Sequence, residues 1–238
     1  MAARPTWQGH LKLSLVTCPV AMYTATASSS HVSFHLINPE TNNRIRMVPT
    51  DHDAGPVERS DLVKGYEVSK DEYVLFDDAD FDKVKLESTR TIDIDMFVPD
   101  HSIGWVWYDR PHFLLPGDEV GQEAFAVIRD AMEATGTVGI SRVVMYRRER
   151  AVMLKPRDKG IVLWTLRYGD EVRDDADYFD ALGTEKPEAK LMTLVRKLID
   201  ERTTPWDAGM VDDPVQARLK DIIAVNFGNT LEWFDWTI

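Results

Sequence analysis

The sequence predicts a mixed β/α protein, mostly β up to residue 168 and helical after it. Three observations carry that prediction. Apolar and polar residues alternate in short runs through the first two-thirds of the chain, the period of a half-buried strand. One clear helical pattern interrupts them at 119–135, EVGQEAFAVIRDAMEAT. Beyond an acidic linker at 169–186, GDEVRDDADYFDALGTEK, the apolar spacing turns helical.

HLKLSLV at 10–16 sets Leu11, Leu13 and Leu15 against Lys12 and Ser14, a half-buried strand. Val32, Phe34 and Leu36 repeat the pattern and predict another. Residues 44–68 are rich in turn chemistry, and Asp53-Ala54-Gly55-Pro56 is a strong break, so a hairpin-like excursion is expected. Glu72–Phe76 reads as a strand. Asp77-Asp78-Ala79-Asp80 then puts carboxylates where a short helix exposes its first N–H groups. Thr89–Val98 alternates again, with Ile92, Ile94 and Met96 on one face. Trp105–Leu115 is β-prone and ends at Pro116-Gly117-Asp118. In 119–135, Phe125, Ile128 and Met132 recur at helical spacing, and Gly136 suits the stop. Strands follow at 138–146, 150–156 and 160–168, the last two joined by a PRDKG turn. Pro187 opens a second helix with Leu191, Leu194, Val195 and Leu198 on one face, and a third helix covers 213–225.

With 238 residues, 44% of them hydrophobic and 10% aromatic, the chain can bury a substantial core. No run approaches the roughly 20 apolar residues of a membrane span. The first fifteen residues lack the apolar stretch of a signal peptide. Cys18 is the only cysteine, which excludes an internal disulfide and fits a reducing cytoplasm. In VTCPV it reads as a small buried residue.

Charge is concentrated. The net formal charge is −12, yet residues 142–168, RVVMYRRERAVMLKPRDKGIVLWTLRY, hold eight Lys or Arg against two acids. The flanks are acidic: net −7 over 71–100, −4 over 101–141 and −8 over 169–238. A charge run is ordinarily a solvated face. A cationic strip between acidic flanks points instead to a polyanion site, with the rest of the surface repelling that ligand.

Catalytic motifs are missing. There is no phosphate loop and no dinucleotide fingerprint. Lys64, in LVKGYEV, lacks the Lys-x-Asp-Gly setting of a nucleotidyl-transferring ligase. His31 and His35 lie too far apart on a strand to share a metal ion. Asp93 and Asp95 fit an exposed polar face better than a magnesium site. The expectation is a protein without catalytic residues, metal or cofactor.

The binding signals are stronger. Arg148 and Arg150 share a strand face, joined by Arg142 if no bulge intervenes, and Lys155, Arg157 and Lys159 form a second alternating set. Such a surface can track phosphates without reading bases. Arg44, Arg46, Arg59 and Lys64 line the turn-rich excursion, either as a plain solvated loop or as a basic arm reaching round a duplex.

In order along the chain, WQGHLKLSLVTCPVAMYTAT at 7–26, VSFHLINPETNNRIR at 32–46, VERSDLVKGYEVSKDEYVLF at 57–76, STRTIDIDMFV at 88–98, YDRPHFLLP at 108–116 and VGISRVVMYRRERAVMLKPRDKGIVLWTLRYGDEVR at 138–173 resemble the bacterial Ku proteins, the DNA-end-binding factors of non-homologous end joining. The resemblance implies a Ku-type β-barrel core over 1–173 with an extended arm at about 40–75, and a homodimeric ring around double-stranded DNA ends. It implies a helical C-terminal region, 174–238, and recruitment of a multidomain ATP-dependent DNA ligase. Carried over, Arg44, Arg46, Arg59 and Lys64 would touch phosphate from the arm, and Arg142, Arg148, Arg150, Lys155 and Arg157 from the barrel. Leu191, Leu194, Leu198 and Trp206 would offer a partner face or pack on their own core. Apolar residues of 103–115 and 161–166 are candidates for the dimer surface.

The chain departs from the family at its far end. Residues 222–238 contain no Lys or Arg, where bacterial Ku proteins often carry a Lys-rich tail, and the match around Trp206–Pro214 is loose. An end-protecting protein that blocks exonucleases without recruiting a ligase therefore stays open as an alternative. So do a nuclease or ligase and a protein-binding barrel.

Overall fold

The computed structural model describes residues 4–27, 32–84, 90–145, 148–183 and 186–235. Contacts divide the chain into two compact units, residues 1–27 with 46–173 and residues 28–45 with 174–238.

The first unit is built on a closed barrel. Its strands are β1 (Trp7–Leu13), β2 (Val16–Thr24), β7 (Thr91–Pro99), β8 (Tyr108–Pro116), β9 (Thr137–Met145), β10 (Arg148–Arg157) and β11 (Gly160–Leu166). They run in the order β1-β2-β8-β11-β10-β9-β7. Neighbours are antiparallel except at the closure, where β1 and β7 pair in parallel through His10↔Thr91, Leu11↔Ile92 and Lys12↔Asp93. That closure needs Gly9. A Cβ there would stand 2.0 Å from the Arg90 carbonyl oxygen, which accepts the His10 N–H at 2.8 Å.

Alternation puts one face of each strand inside. Leu11, Met22, Ile92, Leu114, Val152, Leu154 and Leu163 are almost wholly buried there. Helix α2 (Gly121–Thr135) seals one end of the barrel. Its Phe125, Ile128 and Met132 enter the same core, and the helix packs against β2, β8, β9 and β10. It stops at Gly136, whose left-handed φ of 61° lets its N–H reach back to the last turn.

Between β2 and β7 the chain leaves the barrel. β3 (Thr50–Asp51) pairs with β4 (Gly55–Pro56) around the Asp53-Ala54 turn. β5 (Lys64–Ser69) pairs with β6 (Glu72–Phe76). The short helix α1 (Asp78–Lys83) follows, and Asp77 and Asp80 form a capping box on it. In the second unit are α3 (Ala176–Phe179), α4 (Ala189–Arg202) and α5 (Pro214–Asp235). Gln216 on α5 accepts the Val32 N–H at 2.7 Å.

Five local expectations need correction. Leu15 does not continue the first strand: β1 ends at Leu13, and Leu15 is exposed in the turn to β2. Val32–Leu36 forms no strand: the only ladder contact beside it is an isolated bridge, Ile37↔Arg44, with the Leu36 carbonyl accepting the Ile45 N–H at 2.8 Å, and Phe34 and Leu36 stay exposed. Alternation there finds no neighbouring strand to bury it. Met96 does not share the buried face of Ile92 and Ile94, because the β7–β9 register shifts between Ile94 and Met96 and turns it out. Trp105–Trp107 is a 3-10 turn preceding β8, held where Arg167 donates to the Val106 carbonyl at 2.7 Å and to that of Tyr108. Helix α4 starts at Ala189, two residues after Pro187, and α5 runs well past residue 225.

Candidate nucleic-acid interface

The β9–β10 pairing decides where the cations point. Met145 faces Arg148, Val143 faces Arg150 and Arg142 faces Ala151. Directly paired residues share a face of the sheet. Arg148 and Arg150 therefore lie on the side of Val143 and Met145, at the mouth of the barrel away from α2. Arg142 lies on the outer face with Glu149, Met153, Lys155 and Arg157. The expectation that Arg142 joins Arg148 and Arg150 is wrong. The register sets odd positions of β9 opposite even positions of β10, and even opposite odd. Tyr146 and Arg147 themselves fall outside the described residues.

The strip is thus two clusters. Arg150 and Arg157 are separated by about 23 Å along β10, at about 3.3 Å per residue. Lys155 and Arg157 share the outer face as expected, while Lys159 sits in the turn that joins β10 to β11.

Ion pairing sorts the cations further. Arg142 donates to Glu149 at 2.9 Å and Lys155 pairs with Asp100 at 3.1 Å. The Lys155 hydrogen bond and charge, with a smaller contribution from His101, hold the Asp100 carboxyl below its ordinary value. Arg167 is spent on backbone carbonyls of the 3-10 turn. Arg148, Arg150, Arg157 and Lys159 have no carboxylate partner among the described residues. A cation already neutralised gives little to a polyanion; these four keep both charge and donors open among the described residues, whereas Arg167 keeps its charge with its guanidinium tied to carbonyls.

On the excursion, Arg59 is exposed in a short 3-10 turn, and Arg46 is exposed in the segment before β3. Lys64, at the start of β5, holds its ammonium 4.0 Å above the Phe81 ring, which fixes its direction while leaving the charge unneutralised. Arg44 is also exposed but belongs to the second unit. In that unit Leu191, Leu194 and Leu198 line one exposed side of α4, and Trp206 stands exposed beyond the helix end.

Other singled-out residues are quiet. Asp93 pairs with Lys12 at 2.6 Å. Cys18 is buried, and burial pushes its thiol up, away from reactivity. His35 is exposed, and His31 lies outside the described residues. Sequence reasoning missed an outer-face groove of about 390 Å³ lined by Phe113, Val162, Trp164 and Pro111 beside Lys155 and Arg157. The outward half of each alternating strand could have signalled it. It also missed Arg129, whose role depends on a helix-to-turn contact.

Comparison with known proteins agrees with this architecture. Residues 12–194 match the family described as the Ku70/Ku80 beta-barrel domain. The chain is 57% identical over 224 residues to the non-homologous end joining protein Ku of Methylocella silvestris, covering 94% of this chain and 83% of that protein. It is 55% identical to the protein of the same name from Gluconacetobacter diazotrophicus, over 94% of this chain and 85% of the relative. With that of Archaeoglobus fulgidus it shares 39% identity, over 92% of this chain and 87% of the relative.

Proposed function

The chain belongs to the Ku family, and from that premise we propose that it binds double-stranded DNA ends in non-homologous end joining, as a ring-shaped homodimer and without catalysis. The observation that carries the reading is a set of cations without a carboxylate partner among the described residues, Arg148, Arg150, Arg157 and Lys159, on a barrel whose chain has a net charge of −12. Acidic outer walls repel a duplex and a basic lining attracts it, so position on the protein decides where DNA sits.

An end-binder must accept every sequence, so its contacts go to phosphate and sugar. A ring adds the selection that contacts cannot: only DNA with a free end can enter. Residues 1–27 with 46–173 would supply the core, since 28–45 group with the C-terminal unit. Arg46, Arg59 and Lys64 reach the backbone from the excursion, with Arg44 as a further contact. Within the barrel, Arg148, Arg150 and Arg157 take the larger part. Arg142 and Lys155 contribute only by giving up Glu149 and Asp100. Exposed Trp105 and Val106 offer apolar surface for the second copy. The leucine side of α4, with Trp206, is the surface we assign to an ATP-dependent DNA ligase.

A gel shift comparing linear duplex with a covalently closed circle of the same sequence, at two salt concentrations, tests the ring. Linear DNA should bind and the circle should not, and binding should weaken steeply with salt. Equal affinity for both forms would refute encirclement.

A further inference from the structure

We propose that Arg129 is a positioning residue for DNA binding: it clamps the β10–β11 turn so that Arg157 and Lys159 are held ready for phosphate. The proposal rests on the reading of Arg157 as a phosphate contact.

Arg129 lies on α2 beside Ile128, which is buried in the barrel core, and its own side chain is only 17% exposed. Its guanidinium bridges two elements. Nε donates to Asp130 Oδ1 at 2.7 Å and Nη2 lies 2.6 Å from the same oxygen, while Nη1 donates to the Lys159 carbonyl at 2.8 Å. The arginine is therefore neutralised by its neighbour on the helix and still reaches a backbone atom of the turn.

Arg157 pairs with Gly160, leaving Asp158 and Lys159 as a two-residue link, and Asp158 sits at a left-handed φ of 50°, which aspartate accepts in a hairpin turn. Two residues span the turn, and the Arg129 contact ties its backbone to a helix anchored in the core. Two cations on a fixed turn lose less freedom on meeting a phosphate than two on a mobile one, so the clamp favours binding without adding charge. Lysine cannot replace it, since one ammonium lacks the planar fork that serves Asp130 and the carbonyl together.

The test uses the full chain and linear duplex across a salt series. Arg157→Ala should lower the log–log salt slope by about 0.9, the loss of one phosphate contact. The double variant Arg129→Ala/Asp130→Asn keeps the wild-type net charge, and it should weaken binding on the order of fivefold through lost ordering. Combined with Arg157→Ala, its effect should fall well short of additive. Arg129→Lys should fail to restore affinity, and amides of the turn should exchange faster in both variants. Wild-type affinity in the double variant, or in Arg129→Lys, overturns the proposal, as does full additivity with Arg157→Ala. Should the double variant not fold, Arg129→Lys decides alone. If Arg157→Ala itself binds like wild type, the phosphate reading falls and takes the clamp with it. Unchanged binding in the Arg129 variants alone removes only the clamp.

Discussion

The barrel and the β5–β6 hairpin are both antiparallel and both alternate, yet they meet water in opposite ways. Leu154 and Leu163 on adjoining barrel strands are 0% exposed, whereas Leu75 of the hairpin is 65% exposed and its neighbour across the sheet is a glycine. The barrel has seven strands, no free edge at its closure and a helix over one end. The hairpin has two strands, and a two-stranded sheet is marginal in water by itself. What fixes the hairpin is local: Lys64 over Phe81, Phe76 against Phe81, and a Ser69–Glu72 hydrogen bond of 2.7 Å. The lesson is that alternation declares a strand, while burial depends on what closes over it. Under the ring reading, a duplex or the second copy covers the hairpin.

The largest expected effect is at the barrel seam. Gly9→Ala drives a methyl group into the Arg90 carbonyl, and we expect a loss of about 3 kcal/mol or more, read by urea unfolding. A paired truncation then tests the contrast directly. Leu163→Ala should cost about 2–5 kcal/mol, and Leu75→Ala should stay within about 0.5 kcal/mol for the free protein. Similar losses at the two sites would end the distinction.

His112 gives a pH version of the same contrast. It is 4% exposed inside the barrel, its Nδ1 has no hydrogen-bond partner among the described residues, and burial pushes the imidazole below its ordinary value. The unfolded chain therefore binds this proton more readily than the folded one. Its contribution is complete above about pH 6.5 and declines as pH falls toward the folded-state value. Urea midpoints should drop on that acid limb, and His112→Leu should flatten it. A limb unchanged by the substitution assigns the acid sensitivity elsewhere. The smallest effect belongs to the exposed outer face: Glu149→Gln should change stability by no more than about 1 kcal/mol, while freeing Arg142 and tightening DNA binding slightly. Weaker binding on that substitution would contradict the neutralisation of Arg142.

Much of the fold was legible because its signals are local. The Asp77 cap, the Gly136 stop, the Phe125–Ile128–Met132 stripe and the PRDKG turn each lie within a few residues of what they control. The errors have the opposite cause. Val32–Leu36 alternates but lacks a partner strand, and the face of Met96 was lost to a register shift no nearby residue announces. The site was legible as a cationic strip and not as a set of roles. Lys155 meets Asp100 from 55 positions away, and Arg129 meets Lys159 from 30.

By itself the sequence determined which segments extend, which coil, where they stop and which family the chain joins, because period, capping and turn chemistry act between near neighbours. Tertiary structure alone decided which alternating faces are buried, which arginines point together and which cations keep their charge free. Those outcomes require strands far apart in the chain to close into one barrel, and only the closed register brings the deciding partners within a few ångströms.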